Sequence, residues 1–213
     1  MRHNAPFRCA LLMWTPALLG ALLLGIACKP TSPRTFNPAG LAGPALEPAL
    51  AKPDFVLLTT EGEPYDFRKE TEGYIALLFF GYTHCPDVCP VHLANIAAAL
   101  SKSSPEVNNA VKVVFVTTDP ARDTPEVMRG WLDKFDRRFI GLTGDSASIG
   151  AALRQLRMGA PTREQLPNDT TYYVGHSAIV LAFTRDNLAH VVYPFGVRQA
   201  DWAKDLQLLV KGG

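Results

Sequence analysis

The 213-residue chain is 47% hydrophobic and 19% charged, with a formal net charge of +1. That balance is globular and gives room for one ordinary domain plus extensions. It holds no basic excess and no basic patch interleaved with aromatics, so it excludes nucleic acid as a partner on electrostatic grounds.

The N-terminus reads as an export signal. Arg2 and Arg8 supply a positive stretch, and residues 10–27 form an apolar run ending in small residues. Thr15 and Pro16 interrupt that run, which falls short of the about 20 apolar residues that a membrane-spanning helix needs. Leu24-Gly25-Ile26-Ala27-Cys28 resembles a bacterial lipoprotein cleavage box, in which the Cys becomes the acylated N-terminus, although Gly25 stands where such boxes usually have Leu. A lipoprotein, an uncleaved anchor and a secreted form all place the folded part outside the cytoplasm, and the first two hold it at the outer face of the bacterial cell membrane. Residues 29–52 hold few charges and include Pro30, Pro33, Pro38, Pro44 and Pro48. This composition predicts a semi-extended tether, with the domain occupying residues 53–213.

Within the domain, residues 55–60 and 64–67 predict an N-terminal β-hairpin across the turn 61–63. Residues 74–82 form an apolar run that predicts a buried strand, followed by a helix from about Pro90 through Leu93, Ile96, Ala97 and Leu100. The β-branched run 111–117 predicts a second buried strand. Thr124-Pro125 opens a helix, as N-cap hydroxyl and first-turn proline, that carries Val127, Trp131, Leu132 and Phe135. Residues 140–142 predict a short strand, and Asp145 caps a helix through Ile149, Leu153 and Leu156, with Gly159 past its end. Residues 161–169 are polar without periodicity and predict a loop. Strands at 177–183 and 188–193 form a hairpin, and 199–210 an amphipathic helix. The order predicts an α/β fold of the thioredoxin-like type, a mixed central sheet flanked by helices with an inserted helix between its halves.

The chemistry concentrates in one turn. Of four cysteines, Cys9 and Cys28 lie in the expected leader, which leaves Cys85 and Cys89 as the pair in the domain. Placed between a buried strand and a helix N-terminus, the two sulfurs meet the positive end of the peptide dipoles, which favours thiolate. A spacing of four suits a redox dithiol or a soft-metal site, and also a structural disulfide worth about 2 kcal/mol for so short a loop. Of five histidines, His176 stands just before a strand. The corresponding loop of a thioredoxin-like fold packs against the dithiol turn, so His176 is either a third ligand or a hydrogen-bonded structural residue. Two thiolates and an imidazole suit copper. Structural zinc normally takes four protein ligands, and no clear fourth is present.

Gly-Tyr-Thr-His-Cys-Pro-Asp-Val-Cys-Pro at 81–90, Asp-Pro-Ala-Arg-Asp-Thr-Pro-Glu-Val at 119–127, Gly-Leu-Thr-Gly at 141–144 and His-Ser at 176–177 occur in the order seen in the Sco/SenC family, which the domain resembles throughout. The resemblance implies a membrane-anchored, thioredoxin-fold protein that binds copper, as Cu(I) or Cu(II), through Cys85, Cys89 and His176. It implies a role in assembling the CuA centre of cytochrome c oxidase subunit II, with other copper carriers or thiol reductants as further partners. It also permits an enzymatic reading, in which Cys85 attacks and Cys89 resolves a disulfide of that same CuA site. One departure is Gly175, where the family usually has Asp before the histidine. A peroxiredoxin-like reading fits poorly, because Thr83 precedes Cys85 by two positions and not three. Asp119, Arg122 and Asp123 read as a turn lock or as part of a partner surface. His84 reads as an exposed turn residue or an aid to proton release from Cys85. His92 and His190 read as structural or solvent-facing, Met128 and Met158 as packing, and Trp131, Phe135 and Trp202 as core.

Overall fold

Period-two alternation along the strands sets the architecture. The computed structural model describes residues 40–165 and 171–213. The expected leader with Cys9 and Cys28, the tether up to residue 39, and residues 166–169 of the expected loop lie outside the described residues. In chain order the first elements are β1 (Ala45–Ala51), β2 (Val56–Thr59), β3 (Pro64–Asp66), α1 (Phe67–Glu70) and β4 (Ile75–Gly81). Then come α2 (Val88–Ser101), α3 (Pro105–Ala110), β5 (Val111–Thr117), α4 (Pro125–Leu132), β6 (Ile140–Thr143) and α5 (Ser146–Gln155). Last are β7 (Thr162–Gln165), β8 (Tyr172–Gly175), β9 (Ile179–Phe183), β10 (Leu188–Pro194) and α6 (Gln199–Gly212).

Eight strands form one mixed sheet in the order β1-β10-β9-β4-β5-β6-β2-β3. β4 and β5 pair in parallel, as do β5 and β6, while β9 runs antiparallel to β4. All seven residues of β4 are buried, because helices cover both faces. Ile75, Leu77 and Phe79 point into one core with Leu93 and Ile96 of α2 and Trp202, Leu206 and Leu209 of α6. Ala76, Leu78 and Phe80 point into the other, with Ile149 and Leu153 of α5 and Phe67 of α1. Each such fully buried large apolar side chain contributes about 1.5–3 kcal/mol of transfer free energy. This is the expected thioredoxin-like layering, and β2 with β3 is the expected hairpin.

Three expectations need correction. The domain begins before residue 53, since β1 occupies residues assigned to the tether and pairs with β10. Pro48 is tolerated there because an edge strand leaves one side of its backbone unpaired. The loop expected at 161–169 contains a strand, β7, which pairs with β8 in a separate two-stranded sheet. All four of its side chains are exposed, so it shows no apolar alternation. Finally, α2 starts at Val88 rather than Pro90, because the Asp87 side chain accepts from Val88 N and caps the helix. Pro90 is therefore the third helical residue, still within the turn whose N–H groups have no intrahelical partner.

The two chain ends of the domain lie at opposite ends of the sheet. β10 is antiparallel to β9 and β9 to β4, so β10 runs the same way as β4. β1 runs antiparallel to β10, with Ala45 opposite Val191, so the chain enters where β4 finishes. Asp205 of α6, fully buried, accepts from Ala42 N at 2.7 Å and fixes this entry. At the far end Arg185 donates to the carbonyls of Gly73, Val210 and Gly213, tying the C-terminus to the start of β4.

Candidate metal centre

The site forms where β4 runs out. Gly81 is needed at this point, since a Cβ there would lie 2.8 Å from Phe115 Cε2 and 2.9 Å from Cys89 Sγ. The chain then turns, with Cys85 N donating to Tyr82 O at 3.2 Å, and enters α2. Cys89, the second residue of that helix, is fully buried, while Cys85 before the cap is half-buried, and both are free thiols. Cys89 N donates to Cys85 Sγ at 3.3 Å, so the outer sulfur sits on the N-terminal end of α2.

β8 delivers the third group. His176 follows it directly, and Nε2 lies 3.6 Å from Cys89 Sγ. Its other ring nitrogen, Nδ1, is 3.2 Å from Ser177 O. A carbonyl only accepts, so Nδ1 carries a proton and Nε2 is the ring nitrogen that faces the sulfurs. The backbone carbonyl thus does the orienting that a metal-bound imidazole requires. The ring stands edge-on to Tyr82 at 5.7 Å. Ligand atoms of Cys85, Cys89 and His176 all lie within 4.8 Å of one another, the one group of its kind among the described residues. Two sulfurs and one imidazole nitrogen, with no fourth ligand at hand, fit a soft ion such as copper.

The two thiols are polarised in opposite directions. Cys85 is drawn down from 9.0 to about 4. The leading cause is the hydrogen bond it accepts from the Cys89 thiol, helped by His176 and by backbone N–H groups of Cys89 and Asp87, against its partial burial. Cys89 is pushed up, by donating that bond, by burial and by the adjacent Cys85 charge.

The other sequence candidates sort clearly. Asp119 and Arg122 pair through Nε and Oδ2, with Asp119 fully buried as a side chain. Asp123 accepts from Thr83 N at 3.0 Å, Thr83 Oγ1 at 2.6 Å and Thr117 Oγ1 at 2.7 Å. His84, half-exposed, turns toward Thr83 Oγ1 and Asp123 and not toward sulfur. His190 pairs with Asp186. Met128 and Trp202 are core, Met158 packs against it, and Trp131 and Phe135 meet edge-to-face at its margin.

His92 has more to do than its sequence suggested. Buried in α2, it places Nε2 3.3 Å from Ala178 O and so pins the segment carrying His176 onto the helix. The available signal was its position three residues after Cys89, on the same helix face. At Gly175 an added Cβ would lie 2.5 Å from Thr162 Oγ1 and 3.5 Å from Glu164 Oε1. A side chain at this position therefore requires Thr162 to rotate, and the carboxylate already closest to that spot is Glu164 of β7.

The profile of the SCO1/SenC family matches residues 44–211. Over 146 residues the chain is 34% identical to "Protein SCO2 homolog, mitochondrial" of Mus musculus, covering 66% of this chain and 54% of that protein. It is 33% identical over 138 residues to "Protein SCO1 homolog 1, mitochondrial" of Arabidopsis thaliana, covering 65% of this chain and 40% of that one. The chain thus spans about half the length of the curated relatives it matches. Among solved structures, Bradyrhizobium japonicum ScoI with copper bound superposes with a TM-score of 0.65 at 30% identity, covering 76% of this chain and 99% of that one. Apo Sco1 from Thermus thermophilus gives a TM-score of 0.70 at 30% identity, covering 79% and 96%.

Proposed function

The chain belongs to the SCO1/SenC family, and from that membership we propose that it is a copper chaperone for cytochrome c oxidase. Cys85, Cys89 and His176 hold the ion, and the acceptor is the CuA domain of subunit II. The observation that carries this reading is the convergence of the three ligand atoms within 4.8 Å. Copper bound to the related ScoI of Bradyrhizobium japonicum supports it. The ion is cargo, and the chain's residues divide the work of holding and releasing it. Cys89 and its hydrogen-bonded helix turn form the buried floor. Cys85 and His176, both half-buried, form the rim at which an incoming ligand enters. Three protein ligands leave room for that entry before any bond to the chain breaks. A lipid anchor at Cys28, or an uncleaved leader, holds the domain at the outer face of the cell membrane, a reading supported by Arg2, Arg8 and the apolar run before Cys28. Among the described residues no helix is long and apolar enough to cross a membrane.

A second reading is favoured by the opposed thiols. Cys85 as thiolate attacks one sulfur of a target disulfide, forming a mixed disulfide and releasing the other target sulfur as thiolate. Cys89 then loses its proton and attacks Cys85 Sγ, releasing the second target thiolate and leaving a Cys85–Cys89 disulfide. The two electrons pass from this dithiol to the target, which emerges reduced and ready for metal.

Anaerobic copper titration of the reduced protein, followed by mixing with an apo CuA domain, tests the first reading. The His176→Ala variant is expected to lose about tenfold or more in copper affinity, while reduction of insulin stays at the wild-type rate. Unchanged copper affinity would remove His176 from the ligand set.

A further inference from the structure

We propose that the turn 119–123 is the positioning element of the site, with one arm holding the dithiol loop and the other holding the strand that delivers His176. The inference rests on the copper reading for its purpose, but its geometry stands apart from any metal.

The first arm is Asp123. Fully buried, it accepts from the backbone and hydroxyl of Thr83 at 3.0 and 2.6 Å. Thr83 lies two residues before Cys85, so these bonds fix where the dithiol loop leaves β4. The same carboxylate accepts from Thr117 Oγ1 at 2.7 Å, which ties it to the end of β5.

The second arm is Asp119 with Arg122. Asp119 accepts from Tyr172 OH at 2.8 Å. The Arg122 guanidinium pairs with Asp119, lies 3.6 Å over the Tyr172 ring, and donates through Nη1 to Tyr172 O at 3.0 Å. Tyr172 is thus held by hydroxyl, ring face and carbonyl together. It opens β8, four residues before His176. Arg163 of β7 also approaches Asp119, at 3.6 Å.

These contacts matter because β8 pairs with β7 alone and stands outside the eight-stranded sheet. The hairpin carrying His176 has no main-sheet ladder to fix it. Its ties to the body include this bracket, the buried Val174 and the bond of His92 to Ala178 O. Within the turn, the backbone N–H groups of Arg122 and Asp123 both donate to Asp119 O, at 3.1 and 3.0 Å. The two arms are therefore one rigid unit, and the spacing between sulfur and imidazole is inherited from it.

Three variants of the full chain, purified in detergent, separate the arms. Tyr172→Phe deletes the bond to Asp119 and keeps the ring. Thr83→Val deletes the hydroxyl bond to Asp123 and keeps the N–H. His176→Ala is the reference. Tyr172→Phe is expected to weaken Cu(II) binding about tenfold and to shrink the imidazole-nitrogen coupling in the Cu(II) EPR spectrum toward that of His176→Ala. Its dithiol–disulfide equilibrium with glutathione should stay within about twofold of wild type. Thr83→Val is expected to shift that equilibrium by more than about twofold and to leave the imidazole-nitrogen coupling in place. In the reduced, metal-free protein the His176 imidazole resonances should shift in Tyr172→Phe and hold still in Thr83→Val.

Unmoved resonances and unchanged nitrogen coupling in Tyr172→Phe would overturn the proposal. So would parallel losses in both variants that track their unfolding midpoints, since a fold-stabilising turn gives no separation between arms. If wild type and His176→Ala bind copper alike, the copper reading itself fails, and the metal-free resonances still decide the positioning role.

Discussion

Cys85 should react with an alkylating agent at a rate that is nearly flat from pH 5 to 8. The thiolate is the nucleophile, and an ordinary thiol with its pKa near 9 is about 1% thiolate at pH 7 and about 0.01% at pH 5. Cys85, held at about 4 chiefly by the Cys89 thiol, is almost wholly thiolate at both. Lower basicity also lowers nucleophilicity, and with a Brønsted coefficient of about 0.45 five pK units slow each thiolate roughly 200-fold. At pH 7 the gain and the loss nearly cancel, and Cys85 reacts at about the rate of an ordinary exposed thiol. At pH 5 the thiolate gain is about 9,000-fold, and Cys85 should outpace that thiol by roughly 50-fold. Partial burial scales every rate alike and leaves the profile untouched. The assay is iodoacetamide labelling of the reduced, metal-free protein, with the adduct located by mass spectrometry. The Cys89→Ala variant, which removes the leading cause, should move the profile to higher pH. A wild-type rate climbing tenfold per pH unit between 5 and 8 would refute the argument and, with it, the assignment of Cys85 as the attacking sulfur.

Two further outcomes test the frame around the site. Gly81→Ala forces a methyl to within 3 Å of both the Phe115 ring and Cys89 Sγ, each fully buried. It should cost about 1–3 kcal/mol in urea unfolding and weaken copper binding. A variant with wild-type midpoint and affinity would show that the strand end has slack. Lys52 is buried and donates from Nζ to Thr71 O. Burial, with a smaller contribution from Arg68, lowers its pKa from 10.5 to about 8. Between those two values the unfolded chain binds more protons than the native one, so this residue's contribution to stability improves as pH rises. Urea midpoints of wild type should therefore gain on those of Lys52→Met between pH 7.5 and 9.5. A constant gap would contradict the burial of a charged lysine.

Legibility in the sequence followed physical scale. β4 and β5 were readable because strands covered on both faces become unbroken apolar runs, and α4 and α5 because Thr124 and Asp145 mark their starts. β1 was hidden by Pro48 within it and by Pro44 and Pro53 around it, which signal a linker unless the partner β10 is known. β7 was hidden by a wholly polar Thr-Arg-Glu-Gln held by backbone bonds alone. The start of α2 slipped because Asp87, and not Pro90, is the dominant local signal. At the site, the Cys85–Cys89 spacing is local and was legible. The approach of His176 spans 87 residues; its place just before a strand made it a candidate, and only the family motifs chose ligand over structural residue. The grip of Arg122 on Tyr172, 50 residues away, left no trace in composition or periodicity.

The placement of residues 40–44 and of the C-terminus carries a practical consequence for anyone handling this molecule. Residues 40–44 enter from the end of the sheet at which β4 finishes, so in a shortened form that starts at residue 40 a histidine tag or a fresh amino group would bring rival nitrogens to the same end as the site. The last residue sits a strand's length away, about 23 Å for seven residues at about 3.3 Å each. Affinity handles, fluorophores and surface tethers therefore belong on Gly213, where they leave the rim of Cys85 and His176 free.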